Sequence, residues 1–188
     1  MDWHRLKYTI GMCFRVSGVK RAEYLRKHHV FYHVGENCMV MFRKIPLYPR
    51  LISIGDNVWI ASQVDFIPHD VIHRMLNNKL LREPDFQEYI GCIDIQDNVF
   101  VGSNTTILPN VTIGPNTVIA AGSVINKSIA GNGVYGGVPA KYICSLDDLI
   151  KKRRNVPRIE ITRNKHGLSD ETVEAAWKRF KEGEEHEQ

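Results

Sequence analysis

Cysteine is scarce in this sequence, and its spacing is unlike that of a metal site. Cys13, Cys38, Cys92 and Cys144 are widely separated, with no Cys-x-x-Cys pair among them. A disulfide framework or a thiolate zinc centre is therefore not expected, and a reduced, cytoplasmic setting is favoured. The first residues also lack the uninterrupted apolar segment of a signal peptide or membrane span, so we expect neither.

Charge of one sign is not in large excess either. The formal net charge of the 188 residues is +4. This excess is too small to predict nucleic-acid binding, although it would suit a polyanionic small molecule. A glycine-rich phosphate-binding loop is also missing, which argues against a sugar nucleotidyltransferase. The length is sufficient for one domain with a substantial core.

What the sequence does contain is a period of six residues from Ile95 to Ile129. An aliphatic residue occupies the first position of each unit, and Val, Thr or Ser follows it four positions later. The aliphatic positions are Ile95, Val101, Ile107, Ile113, Ile119 and Ile125. Helices and strands have side-chain periods of 3.6 and 2, so neither explains this pattern. Three six-residue units make one triangular coil, which predicts a parallel β-helix with stacked aliphatic residues inside.

Asparagine marks the corners of the predicted coils. It recurs three residues after the aliphatic position in four consecutive units, as Asn98, Asn104, Asn110 and Asn116. Asparagine tolerates the left-handed backbone region and bonds its neighbouring backbone, so a repeated corner is indicated. The period also occurs from Ile54 to Phe66, and His69 then stands three residues after Phe66. We therefore expect His69 to point outward from a corner.

The period divides the chain into three parts. Residues 34–144 are predicted to form an all-β solenoid, interrupted by a loop over residues 69–91. Residues 1–33 are expected to cover one end of the solenoid, with a helix from Lys20 to His29. Residues 145–188 are expected to form a tail of two helices, capped by Ser145 and Ser169. The loop is too apolar for free solvation, which suggests contact with an adjacent subunit.

Five motifs resemble the hexapeptide-repeat acyltransferases, in particular the branch of maltose, galactoside and polysaccharide-building O-acetyltransferases. They are Asn57-Val58-Trp59-Ile60, Ile67-Pro68-His69-Asp70, Asn98-Val99-Phe100-Val101-Gly102-Ser103, Ala120-Ala121-Gly122-Ser123-Val124 and Gly137-Val138-Pro139-Ala140-Lys141. The resemblance covers about residues 34–145 and implies a left-handed parallel β-helix, to which the sequence pattern adds the N-terminal helix and the short C-terminal helices. It also implies acetyl-CoA as donor and a homotrimer with active sites between neighbouring subunits.

Acetyl transfer to a sugar hydroxyl needs a general base, and histidine suits this role because imidazole titrates near neutral pH. His69 resembles the catalytic histidine of the family. His73 is the second candidate, for substrate contact, and Asp65 or Asp70 could orient either imidazole or contact the substrate. The group that would stabilise the developing oxyanion is not identified by the sequence.

The resemblance also implies a binding path for coenzyme A. Ser103 and Ala121 would lie along the pantetheine arm, stacked one coil apart, with their backbone groups bonding its amides. Asn126 stands where many relatives have Thr, and its contact is uncertain on that account. Lys127 and Lys141 would reach the phosphates as point charges.

The acceptor is left open by the sequence. A hexose hydroxyl in a polysaccharide or small glycoside is favoured, but an amino sugar would use the same scaffold and base. The loop acids Glu83, Asp85 and Glu88 would suit an amine, although a solvated loop explains them equally well. A non-catalytic scaffold or ligand sensor is a third reading. A zinc lyase resembling the γ-class carbonic anhydrases needs three histidines, which the second repeat block lacks, so no metal is expected.

Overall fold

The computed structural model describes residues 3–80, 86–165 and 167–184. The chain divides into two compact units, Met1–Leu149 and Ile150–Gln188. The helices are α1 (Trp3–Cys13), α2 (Gly18–Lys27), α3 (Ile72–Lys79), α4 (Leu146–Arg154) and α5 (Asp170–Glu184), with a 3₁₀ turn at Pro49–Leu51.

Most strands are two or three residues long, as six-residue units with a corner require. In chain order they are β1 (His33–Val34), β2 (Met39–Val40), β3 (Ile52–Ile54), β4 (Trp59–Ile60), β5 (Asp65–Phe66), β6 (His69–Asp70), β7 (Tyr89–Ile90), β8 (Ile93–Ile95), β9 (Val99–Val101), β10 (Thr106–Ile107), β11 (Val111–Ile113), β12 (Thr117–Ile119), β13 (Val124–Ile125), β14 (Gly133–Gly136), β15 (Lys141–Ser145), β16 (Arg163–Asn164) and β17 (Gly167–Leu168).

Three sheets form the sides of the solenoid. Strands β1, β3, β8 and β11 pair in that order on one side, strands β5, β10 and β13 on another, and strands β2, β4, β9, β12 and β14 on the third. All of these pairs are parallel. The predicted parallel solenoid is thus confirmed. The third sheet ends differently from the expected last coil, because β15 turns back and pairs antiparallel with β14.

The first position of each unit faces the interior, as the period predicts. Ile95, Val101, Ile107, Ile113 and Ile119 are completely buried. Parallel pairing places equivalent residues on top of one another, so Ile95 pairs with Ile113 and Val101 with Ile119. Apolar stacking of this kind removes each side chain from water and stabilises the fold by about 1.5 to 3 kcal/mol per aliphatic residue.

In three units a small hydroxyl residue occupies the position four residues after the aliphatic one, and the structure shows why. Thr105, Thr117 and Ser123 are buried. Each hydroxyl donates a hydrogen bond to the carbonyl oxygen three residues earlier, at 2.7, 2.7 and 2.6 Å respectively. A buried hydroxyl without such an acceptor would be costly, so these bonds allow a polar side chain inside the coil while fixing its bend.

Asparagine holds the corners in the left-handed backbone region. The φ angles of Asn57, Asn98, Asn116 and Asn132 lie between 53° and 58°. Their side-chain amides are joined in one series, in which each Nδ2 donates to the Oδ1 of the next asparagine at 2.9, 3.2 and 3.0 Å. The other two predicted corners, Asn104 and Asn110, have φ of 58° and 59°, so all four are confirmed. The hydrogen-bonded series ties one line of corners together from coil to coil.

The chain leaves the solenoid at His69. Strands β6 and β7 pair antiparallel at the base of this excursion, and α3 lies within it. The expectation that His69 occupies a corner is wrong. Gln63 takes the left-handed corner conformation one unit earlier, with φ 59°, whereas His69 is the first residue of β6 and has no positive φ. Because the coil is interrupted here, no third corner forms.

Helix α2 packs on the first coil, where Ala22 and Leu25 are buried. Arg21 is also completely buried, and its guanidinium donates to the carbonyl oxygens of Val40 at 2.9 Å and Arg15 at 2.7 Å. Burial, together with the nearby charge of Arg43, lowers the pKa of Arg21. Helix α1, which the sequence left unassigned, precedes α2. One cation therefore ties the N-terminal segment to strand β2.

The second unit contains the β16–β17 pair and α5. Ser169 accepts a hydrogen bond from the backbone N–H of Thr172 at 3.3 Å, at the start of α5. Trp177 and Phe180 lie on this helix with their rings 5.8 Å apart, and both are more than half exposed. Among the described helices of both units, none combines the length and apolarity that crossing a membrane requires.

Ile113→Lys should abolish the cooperative melting of the protein, while Thr112→Lys should not. The first substitution buries an unpaired charge in the solenoid, at a cost of several kcal/mol. The second places the same side chain on the outer face of the same strand, opposite Asp94. Circular dichroism melting would compare the two, and a cooperatively folded Ile113→Lys protein would show that the proposed interior is wrong.

Candidate active site

His69 is held between the excursion and the solenoid. It is half buried, and strand pairing sets it opposite Ile90. Its imidazole lines a cavity of about 300 Å³ together with Arg5, Lys44 and Asp65. The histidine predicted as the base therefore lies at a cavity, with two cations and one carboxylate in the surrounding wall.

The carboxylates predicted to orient the histidines do not bond their Nδ1 atoms. The Nδ1 atoms of His69 and His73 are buried and have no hydrogen-bond partner within the described residues. Asp70 Oδ1 instead accepts from the backbone N–H of Ile72, the first residue of α3, at 3.0 Å. Asp65 shares the cavity of His69, whereas His73 and Asp70 line a separate cavity. The structure thus separates the two candidate imidazoles.

Tyr48 is the neighbour of His69 that sequence reasoning missed. The two rings meet edge to face, with centroids 5.2 Å apart. The Tyr48 hydroxyl donates to the carboxylate of Glu88, at 3.0 and 3.1 Å from its two oxygens. This hydrogen bond, with desolvation and the carboxylate charge, raises the pKa of Tyr48. Of the acids considered for an amine acceptor, Glu88 is therefore engaged, while Glu83 and Asp85 lie outside the described residues.

The backbone of Tyr48 is strained. Its φ is 53°, in the left-handed region that bulky residues avoid at a cost of about 1 to 2 kcal/mol. The 3₁₀ turn that follows retains it there, because the Leu51 N–H donates to the Tyr48 carbonyl oxygen at 2.9 Å. Strained residues of this kind concentrate at functional sites, so the strain at Tyr48 supports a functional role for its ring beside His69.

Ser103 and Ala121 are brought to neighbouring coils, as expected. The Gly122 N–H donates to the Ser103 carbonyl oxygen at 2.8 Å. The coils approach so closely that a Cβ on Gly102 would collide with the backbone nitrogen of Ala121. Within the described residues, the N–H of Ala121 donates no hydrogen bond, and the residue as a whole is exposed. An unused donor is thus present on this edge of the solenoid.

The remaining predicted donor-binding residues are exposed. Asn126 and Lys127 follow β13 directly, and Lys141 begins β15. None of the three side chains makes a hydrogen bond or ion pair inside the described part of the chain. Nor do the described residues contain any group of three His, Cys, Asp or Glu side chains placed to hold a metal ion.

Stacked parallel coils of six-residue units define a hexapeptide-repeat β-helix. Residues 93–127 match the family model described as "Bacterial transferase hexapeptide (six repeats)". In this segment the chain is therefore similar to the hexapeptide-repeat transferases.

The chain is similar to several curated proteins and to a solved structure. It is 37% identical over 118 residues to the galactoside O-acetyltransferase of Escherichia coli, covering 62% of this chain and 55% of that protein. It is 43% identical over 99 residues to Protein CapG of Staphylococcus aureus, covering 53% and 55%. A solved galactoside acetyltransferase in complex with coenzyme A is 29% identical, with a TM-score of 0.53 over 78% of this chain and 82% of that one. The chain spans little more than half the length of the two curated relatives.

Glu88→Gln should lower the pKa of the Tyr48 hydroxyl towards its ordinary value, because the carboxylate that favours the protonated phenol is lost. A raised folded-state pKa stabilises the protein below the unfolded value, and the contribution disappears as pH rises through the folded value. Phenolate absorbance during an alkaline titration would measure the change. Tyr48→Phe removes the Tyr48 contribution from the titration curve and so identifies it among those of the seven tyrosines. An identical titration in Glu88→Gln would contradict the assignment.

Proposed function

We propose that this protein transfers an acetyl group from acetyl-CoA to a sugar hydroxyl, with His69 as general base. The observation that carries the proposal is the position of His69 in a cavity at the base of the excursion, against the ring of Tyr48. The similarity to a galactoside O-acetyltransferase supports the sugar acceptor, and the likeness to a coenzyme A complex supports the donor.

The chemistry needs a base because a neutral hydroxyl attacks a thioester poorly. Acetyl-CoA supplies the thioester carbonyl carbon, to which the acceptor oxygen bonds as the bond to the coenzyme A sulfur breaks. An unprotonated His69 nitrogen takes the hydroxyl proton, and the imidazolium then returns a proton to the departing thiolate. We assign the base to Nε2, because Nδ1 is enclosed by the protein. Such a step contributes about 10² to 10⁴ in rate.

The donor site is proposed to run along the edge of the solenoid. The N–H of Ala121, an exposed residue, would donate to a pantetheine carbonyl, and Ser103 lies one coil below it. Lys127 and Lys141 are exposed and would neutralise the phosphates, with Asn126 beside them. No metal is needed, since the base and the donor site use only these side chains and backbone groups.

The acceptor is proposed to contact residues around the two imidazoles. Asp65 faces the same cavity as His69, whereas Asp70 and His73 line the neighbouring one. We assign them to substrate contact. The Glu88 carboxylate already accepts the Tyr48 hydroxyl, so it is less available to pair with a protonated amine. This favours a hydroxyl acceptor over an amino sugar.

The assembly is proposed to be a homotrimer of left-handed solenoids in the cytoplasm, taking part in polysaccharide or glycoside modification. Residues 34–144 would form the transferase unit, residues 1–33 the cover of its first coil, and residues 145–188 the tail. The excursion carries exposed apolar side chains, namely Ile72, Met75, Phe86 and Tyr89. A neighbouring subunit would remove them from water and place two chains around each site.

His69→Ala should reduce turnover by about 100-fold or more, because the base is lost. The rise in melting temperature caused by acetyl-CoA should persist, since His69 does not hold the donor. Thiol release in the presence of sugar acceptors measures turnover, and His73→Ala is the matched control with a smaller loss. Full turnover in His69→Ala would place the base elsewhere. Failure of acetyl-CoA to stabilise the unaltered protein would favour a scaffold or sensor.

Sedimentation equilibrium should report three chains of 21.6 kDa. Met75→Glu on the excursion should weaken the assembly, because it places a charge in the proposed contact. Arg74→Glu on the same helix changes a residue that is already charged and serves as a comparison. A stable monomer with full activity would exclude a site shared between subunits.

A further inference from the structure

A second cavity, of about 850 Å³, opens beside the site. We call it the N-terminal cavity, because α1 and the segment before β3 form much of its wall. Its wall includes Arg5, Tyr8, Tyr48, Arg50 and Glu88. The volume lies in the range of small-molecule sites, so the cavity has room for a sugar or short glycoside.

The N-terminal cavity borders the proposed base. Tyr48 stands in its wall, and the same ring packs against His69 at 5.2 Å between centroids. Arg5 lines both the N-terminal cavity and the smaller cavity of His69. A molecule held here would therefore have its near end close to the imidazole. The inference below rests on the proposed function for the reaction and its base, and it extends the acceptor site from the two cavities lined by Asp65, Asp70 and His73 into this third one.

The wall is rich in basic side chains. The positive charges come from Arg5 and Arg50, and the imidazoles of His4 and His29 also line the cavity, whereas Glu88 is the one acid among the described wall residues. The carboxylate of Glu88 already accepts a tyrosine hydroxyl at the edge of the cavity. A neutral sugar gains nothing from this excess of positive charge, while an anion is attracted by it.

Arg50 is the best-placed cation. Its Nη1 donates to the carbonyl oxygens of His29 and Phe31, both at 3.0 Å, which fixes the guanidinium. Neutral carbonyls leave its charge uncompensated, and no carboxylate of the described residues forms an ion pair with it. The Nε of Arg5 donates to the Ile45 carbonyl oxygen at 2.8 Å. A fixed guanidinium fork suits carboxylate and phosphate groups.

We infer that the acceptor is an anionic sugar, whose carboxylate or phosphate is held by Arg50 with Arg5 while a ring hydroxyl reaches His69. A uronate and a sugar phosphate share this chemistry. The rings of Tyr8 and Tyr48 offer surfaces that are apolar with one polar end, which fits a sugar ring between the charged group and the base.

Calorimetry on the full-length protein at constant ionic strength tests the inference with matched pairs. The probes are methyl glucuronide beside methyl glucoside, and glucose 1-phosphate beside glucose. At least one anionic sugar should bind about tenfold or more tightly than its neutral partner, the effect expected of one charge-assisted hydrogen bond. Whether the uronate or the phosphate has the larger advantage identifies the anion.

Arg50→Gln should abolish that advantage, and Arg50→Lys should restore part of it. Arg43→Gln removes an exposed arginine outside the wall and should leave it unchanged. Equal affinities in the unaltered protein, or an advantage that survives Arg50→Gln, would overturn the inference. So would competition between glucose 1-phosphate and coenzyme A, because the arginines would then hold the donor's phosphates.

Parallel turnover assays separate this inference from the proposed function. Acetylation of neutral and anionic sugars with the same kcat/KM would overturn the anionic acceptor and leave acetyl transfer standing. Arg50-dependent binding of an anionic sugar, without acetylation of any acceptor tried, would remove the proposed reaction and leave the anion site standing.

Discussion

Backbone pairing between successive coils is the constraint on which this molecule depends. It requires each coil to bend at the same places, so that every strand meets its equivalent in the coil above. Asparagine meets that demand at the corners with φ near 55°, where other L-residues would pay about 1 to 2 kcal/mol. Buried threonine and serine hydroxyls close the adjacent bends. The stacking of aliphatic side chains in the interior both results from this alignment of the coils and stabilises it.

The site takes its geometry from the same frame. His69 begins where one coil stops, and β7 returns the chain to the coil that β8 resumes. Tyr48 comes from the preceding coil, held in a strained conformation by the turn after it. Loops carried on a rigid scaffold commonly bear function, and here the scaffold supplies both ends of the loop together with an aromatic ring against the imidazole.

The repeating part of the fold was predictable because its signal is local and recurs. A six-residue period identifies the interior positions, and asparagine identifies the corners without knowledge of any distant contact. The conformation of His69 was not predictable in this way, because a corner forms only if the coil continues. The contact of Tyr48 with Glu88 joins residues 40 positions apart through the excursion, which carries no period. Helix α1 has no comparable repeat, so its arrangement beside the first coil was equally hidden. The roles of His69 and of the donor-binding residues remain predictions.

The asparagine series also shows how little the solenoid is disturbed by what is inserted into it. Asn98 and Asn116 are 18 residues apart and bond at 3.2 Å, whereas Asn57 and Asn98 are 41 apart and bond at 2.9 Å. Closing the longer segment costs only about 0.7 kcal/mol more in chain entropy, since that cost grows with the logarithm of length. The stability of the solenoid therefore depends little on the length of the excursion. Natural variation, or deliberate redesign, has freedom to alter its length and composition without changing the coils that hold the histidine in place.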